Sequence, residues 1–307
     1  MKFLSPRYAS HAIVAAALLA AGCSAEPDAD PAQAPSSGAS EAADASEAPT
    51  TEAGPVLRSE VKGLRIVAAS TVPSHPDSGA DQCGPQVDGL RSAAAKAVQA
   101  KGWNVTGEAA VGGYDVVSFV GTTEQGTSGS CLLTEGNVGL FKGGVLKAIA
   151  YMGKGPGTTT SIGSLKRIEG NAIRILDGDF VPQPLADIRF ADNGAVTVAA
   201  LPKSDKVCGG EGTLPNIQSM PINKAHAVLV KAGWVPSPSL PGDEQRDDRA
   251  AELFEKGIKE AESCSGTGFG YCSFGYLGRA GRLSVTTVGD AEWPTVASYG
   301  VTCQASD

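Results

Sequence analysis

The chain has 307 residues, with 33 Asp and Glu against 25 Lys and Arg, and 42% of it is apolar. Setting aside Lys2, Arg7 and the seven acids between Glu26 and Glu52 leaves 23 bases against 26 acids. A body so close to neutral gives no support for nucleic acid or an anionic membrane surface as a partner, because both need an excess of basic residues.

Residues 1–22 carry positive charge at Lys2 and Arg7, then an apolar run from Ala12 to Ala21, then Gly22 before Cys23. The run is about half the roughly 20 residues that a spanning helix requires, which is the organisation of an export signal. With Leu19-Ala20-Ala21-Gly22-Cys23 it resembles a bacterial lipoprotein signal and its lipobox, although Ala20 stands where that family more often has Leu. The resemblance implies a diacylglycerol on Cys23. Ser24 rather than Asp after it implies sorting to the outer membrane, with the body facing the periplasm. An ordinary secretory signal cut near Ala21 is the alternative.

Residues 23–56 are mostly Ala, Ser, Pro, Glu and Asp, with acids at 26, 28, 30, 41, 44, 47 and 52 and no base. Such a segment cannot bury enough apolar surface to offset its ordering entropy, and its like charges extend it into a tether. About 250 residues remain, enough for a good core in one large or two small domains. An N-terminal α+β domain over 57–204 and a disulfide-rich one over 205–307 are expected, with the boundary near Ser204, where a hairpin block ends and a second copy of the opening pattern begins.

Along the first, Cys83-Gly-Pro leads into a helix-period stretch, LRSAAAKAVQAKGW, which stops at Gly102-Trp103 and is followed by the strand-like YDVVSFV. Glu169-Gly-Asn and Asp192-Asn-Gly, set between alternating apolar residues, predict two hairpins. In the second, Cys208-Gly-Gly precedes INKAHAVLVKAGW, which stops at Gly233-Trp234. A charged helix within DEQRDDRAAELFEKGIKEAES follows, with a core-facing stripe at Leu253, Phe254 and Ile258, and then the strand-like RLSVTTVG. The expected architecture is α+β: two degenerate copies of a helix packed on an antiparallel sheet, with a β-hairpin block between them, stapled by disulfides.

Six cysteines remain once Cys23 takes a lipid, and an even number in an exported chain argues for three disulfides. The pairing expected is Cys83–Cys131, Cys264–Cys272 and Cys208–Cys303. A rival set from the repeat joins Cys208 to Cys272 and Cys264 to Cys303. The stretch Cys264-Ser-Gly-Thr-Gly-Phe-Gly-Tyr-Cys272 fits neither a dinucleotide nor a phosphate loop, and neither His75 nor His226 is near it in sequence to hold a thiolate. It reads as a loop closed by a disulfide. No cofactor motif and no metal-ligand spacing is present, and no catalytic residue can be named.

Leu214-Pro-Asn-Ile217, Ser219-Met220, Ala225, Leu229 and Ala232-Gly233 resemble the opening strand, turn and helix of a PASTA domain, a module linked to peptidoglycan binding. Ser219 stands where that family prefers Gly. The resemblance covers residues 214–234 and implies a strand-turn-helix unit and a cell-wall partner. The function expected is therefore a lipid-anchored, non-enzymatic binding module with peptidoglycan or an envelope protein as partner. Its contact face is expected at Phe269, Tyr271, Phe274 and Tyr276, of which one alternate half should point inward. The alternatives are an envelope hydrolase using acids such as Asp177, Asp179 or Asp290, and a purely structural envelope protein.

Overall fold

The computed structural model describes residues 54–76, 83, 84, 87, 89–153, 160–237, 247–266 and 268–304. The expected signal, the lipid site at Cys23 and all but the last residues of the expected tether lie outside them. The rest, Glu52–Asp307, forms one compact unit.

Strands dominate: 48% of the structure is strand and 12% helical. The expected α+β arrangement, two copies of a helix on a sheet, is therefore incorrect, and the apolar patterns show why. The front sheet is antiparallel, in the spatial order Leu64–Ala68, Val145–Met152, Asn137–Lys142, Tyr114–Val120, Asn104–Val111. The back sheet runs Leu57–Ser59, Val196–Ala199, Pro184–Phe190, Ala172–Asp177, Ile162–Ile168, and its first pair alone is parallel. The two pack face to face through Val116, Val138, Leu140, Ile173, Ile175 and Ile188, so sheet covers sheet where a helix was expected.

Helix α1 (Ala93–Gln99) covers the other face of the front sheet with Ala94, Ala95 and Val98 against Val117, Phe119 and Phe141. The strand Tyr114–Val120 is thus buried on both sides, which explains why apolar residues fall at successive positions, Val116-Val117 and Phe119-Val120. Ser92 Oγ caps the helix by accepting from Ala95 N at 3.0 Å, and the Glu108 carboxylate accepts from the backbone N of Arg91 and Ser92 at 2.7 and 2.9 Å. At its far end Gly102 takes φ +89°, Trp103 turns inward, and its Nε1 donates to Pro73 O at 2.8 Å.

The hairpins expected at Glu169-Gly-Asn and Asp192-Asn-Gly both form, in the back sheet. Beyond them lie a two-stranded hairpin, Ser204–Val207 with Gly212–Pro215, and a C-terminal sheet. That sheet is ordered Val235–Pro236, Cys272–Gly278, Gly281–Val288, Thr295–Cys303, with Ala261–Cys264 also paired to Cys272–Gly278. Helices α2 (Ile222–Lys231) and α3 (Asp248–Glu255) close its core, α2 through Ile222, Ala225 and Leu229 and α3 through Leu253. The charged helix expected within 243–263 ends before the last residue of its stripe, Ile258, because Gly257 takes φ +99° and Ala261–Cys264 becomes a strand. The corner after α2 repeats the one after α1: Gly233 has φ +90° and Trp234 Nε1 donates to Thr213 O at 3.2 Å.

Disulfides join Cys83 to Cys131, Cys208 to Cys303, and Cys264 to Cys272. The backbone is close-packed both where the chain enters the front sheet beside the back one and within the back sheet itself. A Cβ on Gly136 would lie 1.5 Å from Ile162 O, and one on Gly163 would lie 2.2 Å from Asp177 O. Neither carbonyl can yield without breaking the sheets. Gly136→Ala is therefore expected to cost more than about 2 kcal/mol in urea unfolding, whereas Gly54→Ala, where an added Cβ meets nothing within 4 Å, should be neutral.

Candidate functional site

In the strand Ala172–Asp177, Ile173 and Ile175 point into the sandwich while Ala172, Arg174 and Leu176 alternate outward. Across the hairpin, Arg174 sits opposite Asp187, whose side chain is fully buried. Arg174 Nε and Nη2 donate to the two Asp187 oxygens at 2.8 and 3.2 Å. Its Nη1 and Nη2 also donate to Asp205, on the strand Ser204–Val207, at 2.8 and 3.0 Å. Burial alone disfavours the guanidinium charge, but the hydrogen bonds and charges of Asp205 and Asp187 outweigh it and raise the pKa above the ordinary arginine value. Arg189 adds a further contact to Asp187 at 3.1 Å.

This bridge holds the small hairpin against the outer face of the back sheet, and between them opens a cleft of about 770 Å³. One wall carries Lys166, Arg174 and Arg189. The facing side is the strand Thr295–Cys303, with Ser298, Tyr299 and Gly300, and Lys206 lies beside it. Lys166 Nζ lies 3.9 Å from where a Cβ on Gly300 would stand, an ordinary contact distance, so a larger side chain at this position would take up the space in front of Lys166. The volume falls within the range of about 300–1,000 Å³ common among small-molecule sites.

The aromatic residues named from the sequence do not gather into one face. Phe274 and Tyr276 are fully buried in the C-terminal core, whereas Phe269 and Tyr271 sit half-buried on the loop, edge to face at 6.0 Å. None of the four is among the described residues that line the cleft. Tyr276 donates its hydroxyl to Glu260 Oε1, and His226 Nδ1 lies 2.6 Å from the same oxygen. Burial first, and then the negative charge of Glu260, raises the Tyr276 pKa above its ordinary value. The trio ties α2 to the sheet from inside.

The stretch Cys264–Cys272 is a clasp. The two cysteines face each other across paired strands, and inside the loop Ser265 N donates to Tyr271 O at 2.7 Å. The named acids serve turns: Asp177 Oδ1 accepts from Gln183 N at 2.8 Å and from Asp179 N at 3.3 Å, and Asp179 Oδ1 accepts from Phe180 N at 2.7 Å. The Asp290 carboxylate packs over Gly270, with Oδ1 2.5 Å from where a Cβ would stand. Among the described residues no three His, Cys, Asp or Glu side chains are grouped to hold a metal ion, and no helix is long and apolar enough to cross a membrane.

Sequence reasoning did not single out Arg174, Asp187, Asp205 or Lys166. The signal available was a charge of opposite sign at a central outward position in each of two largely apolar hairpin strands, Arg174 in NAIRILD and Asp187 in ADIRF. The chain matches no protein family, no curated protein and no solved structure.

Among the described residues, removing Arg174 leaves Asp187 buried with Arg189 as its one remaining charged partner. Arg174→Ala is expected to cost about 3 kcal/mol or more in denaturant unfolding, and Asp205→Asn, at a more exposed carboxylate, distinctly less. Asp177 offers a second check. Burial pushes its carboxyl up, against the hydrogen bonds from Gln183 and Asp179, and the like charge of Asp179 adds to the rise. The folded chain therefore holds this proton more tightly than the unfolded one, and stability falls as pH climbs from the unfolded carboxylate value, about 3.9, through the raised native one. Asp177→Asn keeps an acceptor and removes the charge. Its thermal midpoint should exceed that of the wild type at neutral pH, with the gap closing on acidification below about pH 3.

Proposed function

We propose that this protein is a lipid-anchored binding module of the bacterial envelope, held at the outer membrane through Cys23 and working on its periplasmic side through the cleft around Arg174. The anchor reading rests on the lipobox-like run ending in Cys23 and on the acidic segment 23–56, which would hold the body away from the bilayer. The three disulfides fit an oxidising compartment.

The observation that carries the binding reading is the cleft itself, about 770 Å³, walled by a rigid sheet and braced by a buried ion bridge. A site on packed strands keeps its shape without being ordered by its ligand. Anchoring to a membrane raises the local concentration of the module near the wall and other envelope proteins, so a weak contact suffices. The partner class is cell-wall glycan or an envelope protein. The likeness of residues 214–234 to a PASTA opening supports the former: Gly212–Pro215 is a strand, Ile222–Lys231 a helix, and Ser219 between them has φ +59°.

Two measurements test this. Cell fractionation should find the wild type in the detergent-extracted membrane fraction and Cys23→Ser in the soluble fraction. Pull-down at physiological salt, with purified sacculi and with envelope lysate, should retain the wild type on one of them and release the cleft-filling variant Gly300→Val at least tenfold. Retention on neither matrix, or equal retention of both proteins, would falsify the reading.

A further inference from the structure

The strand Thr295–Cys303 ends the C-terminal sheet, and its outer edge is treated in two ways. Along its first residues the edge is covered. Val296 N donates to Met220 O at 2.9 Å, Ser219 N donates to Val296 O at 3.1 Å, and Ile222 N donates to Pro294 O at 2.9 Å. From Ser298 onward no strand among the described residues pairs with that edge, and Ser298, Tyr299, Gly300 and Val301 face the cleft. An uncovered edge is a row of backbone donors and acceptors ready to pair with another extended chain.

The charges of the cleft are sorted. Its two acids are already committed, Glu169 to Gly209 N at 2.9 Å and Asp205 to Arg174. Its bases are less so. Lys166 has no hydrogen-bond or ion-pair partner among the described residues, Lys206 touches only the Thr213 hydroxyl at 3.0 Å, and Arg189 gives one nitrogen to Asp187. On a protein with a net charge of −8 this is a locally positive groove beside an open strand edge.

We propose that the cleft binds an extended acidic peptide segment, which pairs with the edge Ser298–Cys303 and places its carboxylates toward Lys166, Lys206 and Arg189. The proposal rests on the reading of the cleft as a binding site and names its ligand. Six residues of strand span about 20 Å, so a peptide of about that length would fill the exposed edge. Alternate side chains then point toward the basic wall, which favours a carboxylate at every second position. Gly300 provides the room for it.

The test uses the full-length chain in nonionic detergent and fluorescence anisotropy with a labelled hexapeptide that alternates Glu with Thr or Val. Three competitors accompany it: a peptide of the same charge with Pro at alternate positions, a peptide with Lys for Glu, and alginate as a carboxylated polysaccharide. The acidic strand-forming peptide should bind, more weakly as salt rises, and the Pro and Lys peptides should bind at least tenfold more weakly. Lys166→Glu should weaken binding about tenfold, and Gly300→Val should abolish it with an unchanged thermal midpoint. Amide exchange at 298–303 should slow on adding peptide.

Equal binding of the Pro peptide would show charge recognition alone and overturn strand pairing. Binding unaffected by Lys166→Glu and Gly300→Val would place the peptide elsewhere and overturn the site. Alginate binding in place of the peptide would overturn the peptide class. Should no peptide bind while sacculi still retain the wild type and release Gly300→Val, the ligand named here is wrong and the module reading stands.

Discussion

A guanidinium withdrawn from water must keep its counter-charges within reach, and Arg174 does so with two carboxylates from different parts of the fold. Asp187 comes from the neighbouring strand of the same hairpin and is wholly buried; Asp205 comes from the next hairpin along the chain. The contacts to each are bidentate, so the bridge fixes direction as well as distance. The small hairpin is thereby held to the back sheet, beside the hollow that the two enclose. The bridge thus braces the basic wall of the cleft, while the Cys208–Cys303 disulfide ties the same hairpin to the strand opposite. Such a bridge contributes less to overall stability than to which arrangement forms, because the desolvation of three charged groups opposes much of their attraction.

The remainder of the body is held by apolar surface. Its centre is a sheet covered on both faces, by a second sheet on one side and by α1 on the other. Two hydroxyls inside it partner each other: Thr106 donates to Gly163 O at 2.6 Å and lies 2.9 Å from Ser118 Oγ. Two helices leave through a left-handed glycine and turn a tryptophan inward, with the indole N–H satisfied by a backbone carbonyl each time. That corner is a local solution used twice, on cores of different construction.

The sequence made some of this legible and hid the rest for physical reasons. Turn chemistry is local, so Glu169-Gly-Asn and Asp192-Asn-Gly marked their hairpins, and Gly102-Trp103 and Gly233-Trp234 marked helix ends. The fold class was misjudged because strands buried on both faces lose the alternation that marks a half-exposed strand, and Ala-rich stretches stand out more than they weigh. Helix α3 shows the same limit. An apolar stripe continues to Ile258, but Gly257 and the burial of Glu260 end the helix first. The cleft was invisible for another reason. Lys166 and Gly300 are far apart in sequence and charged or bland in isolation, and only the fold sets one over the other.

The staple between Cys208 and Cys303 carries a consequence for assembly order. A polypeptide that emerges N-terminus first presents Cys83 and Cys131 in succession, and their bond can close as soon as both are out. Cys208 next meets Cys264 and Cys272, 56 and 64 residues later, while its native partner is 95 residues away. Oxidation in simple order of appearance would join Cys208 to Cys264 and leave Cys272 to Cys303. The native nesting, one bond inside another, is reached only if Cys208 stays reduced until the last strand has docked, or if an isomerase exchanges the early bond. The oxidative maturation of this protein thus depends on a thiol that must wait.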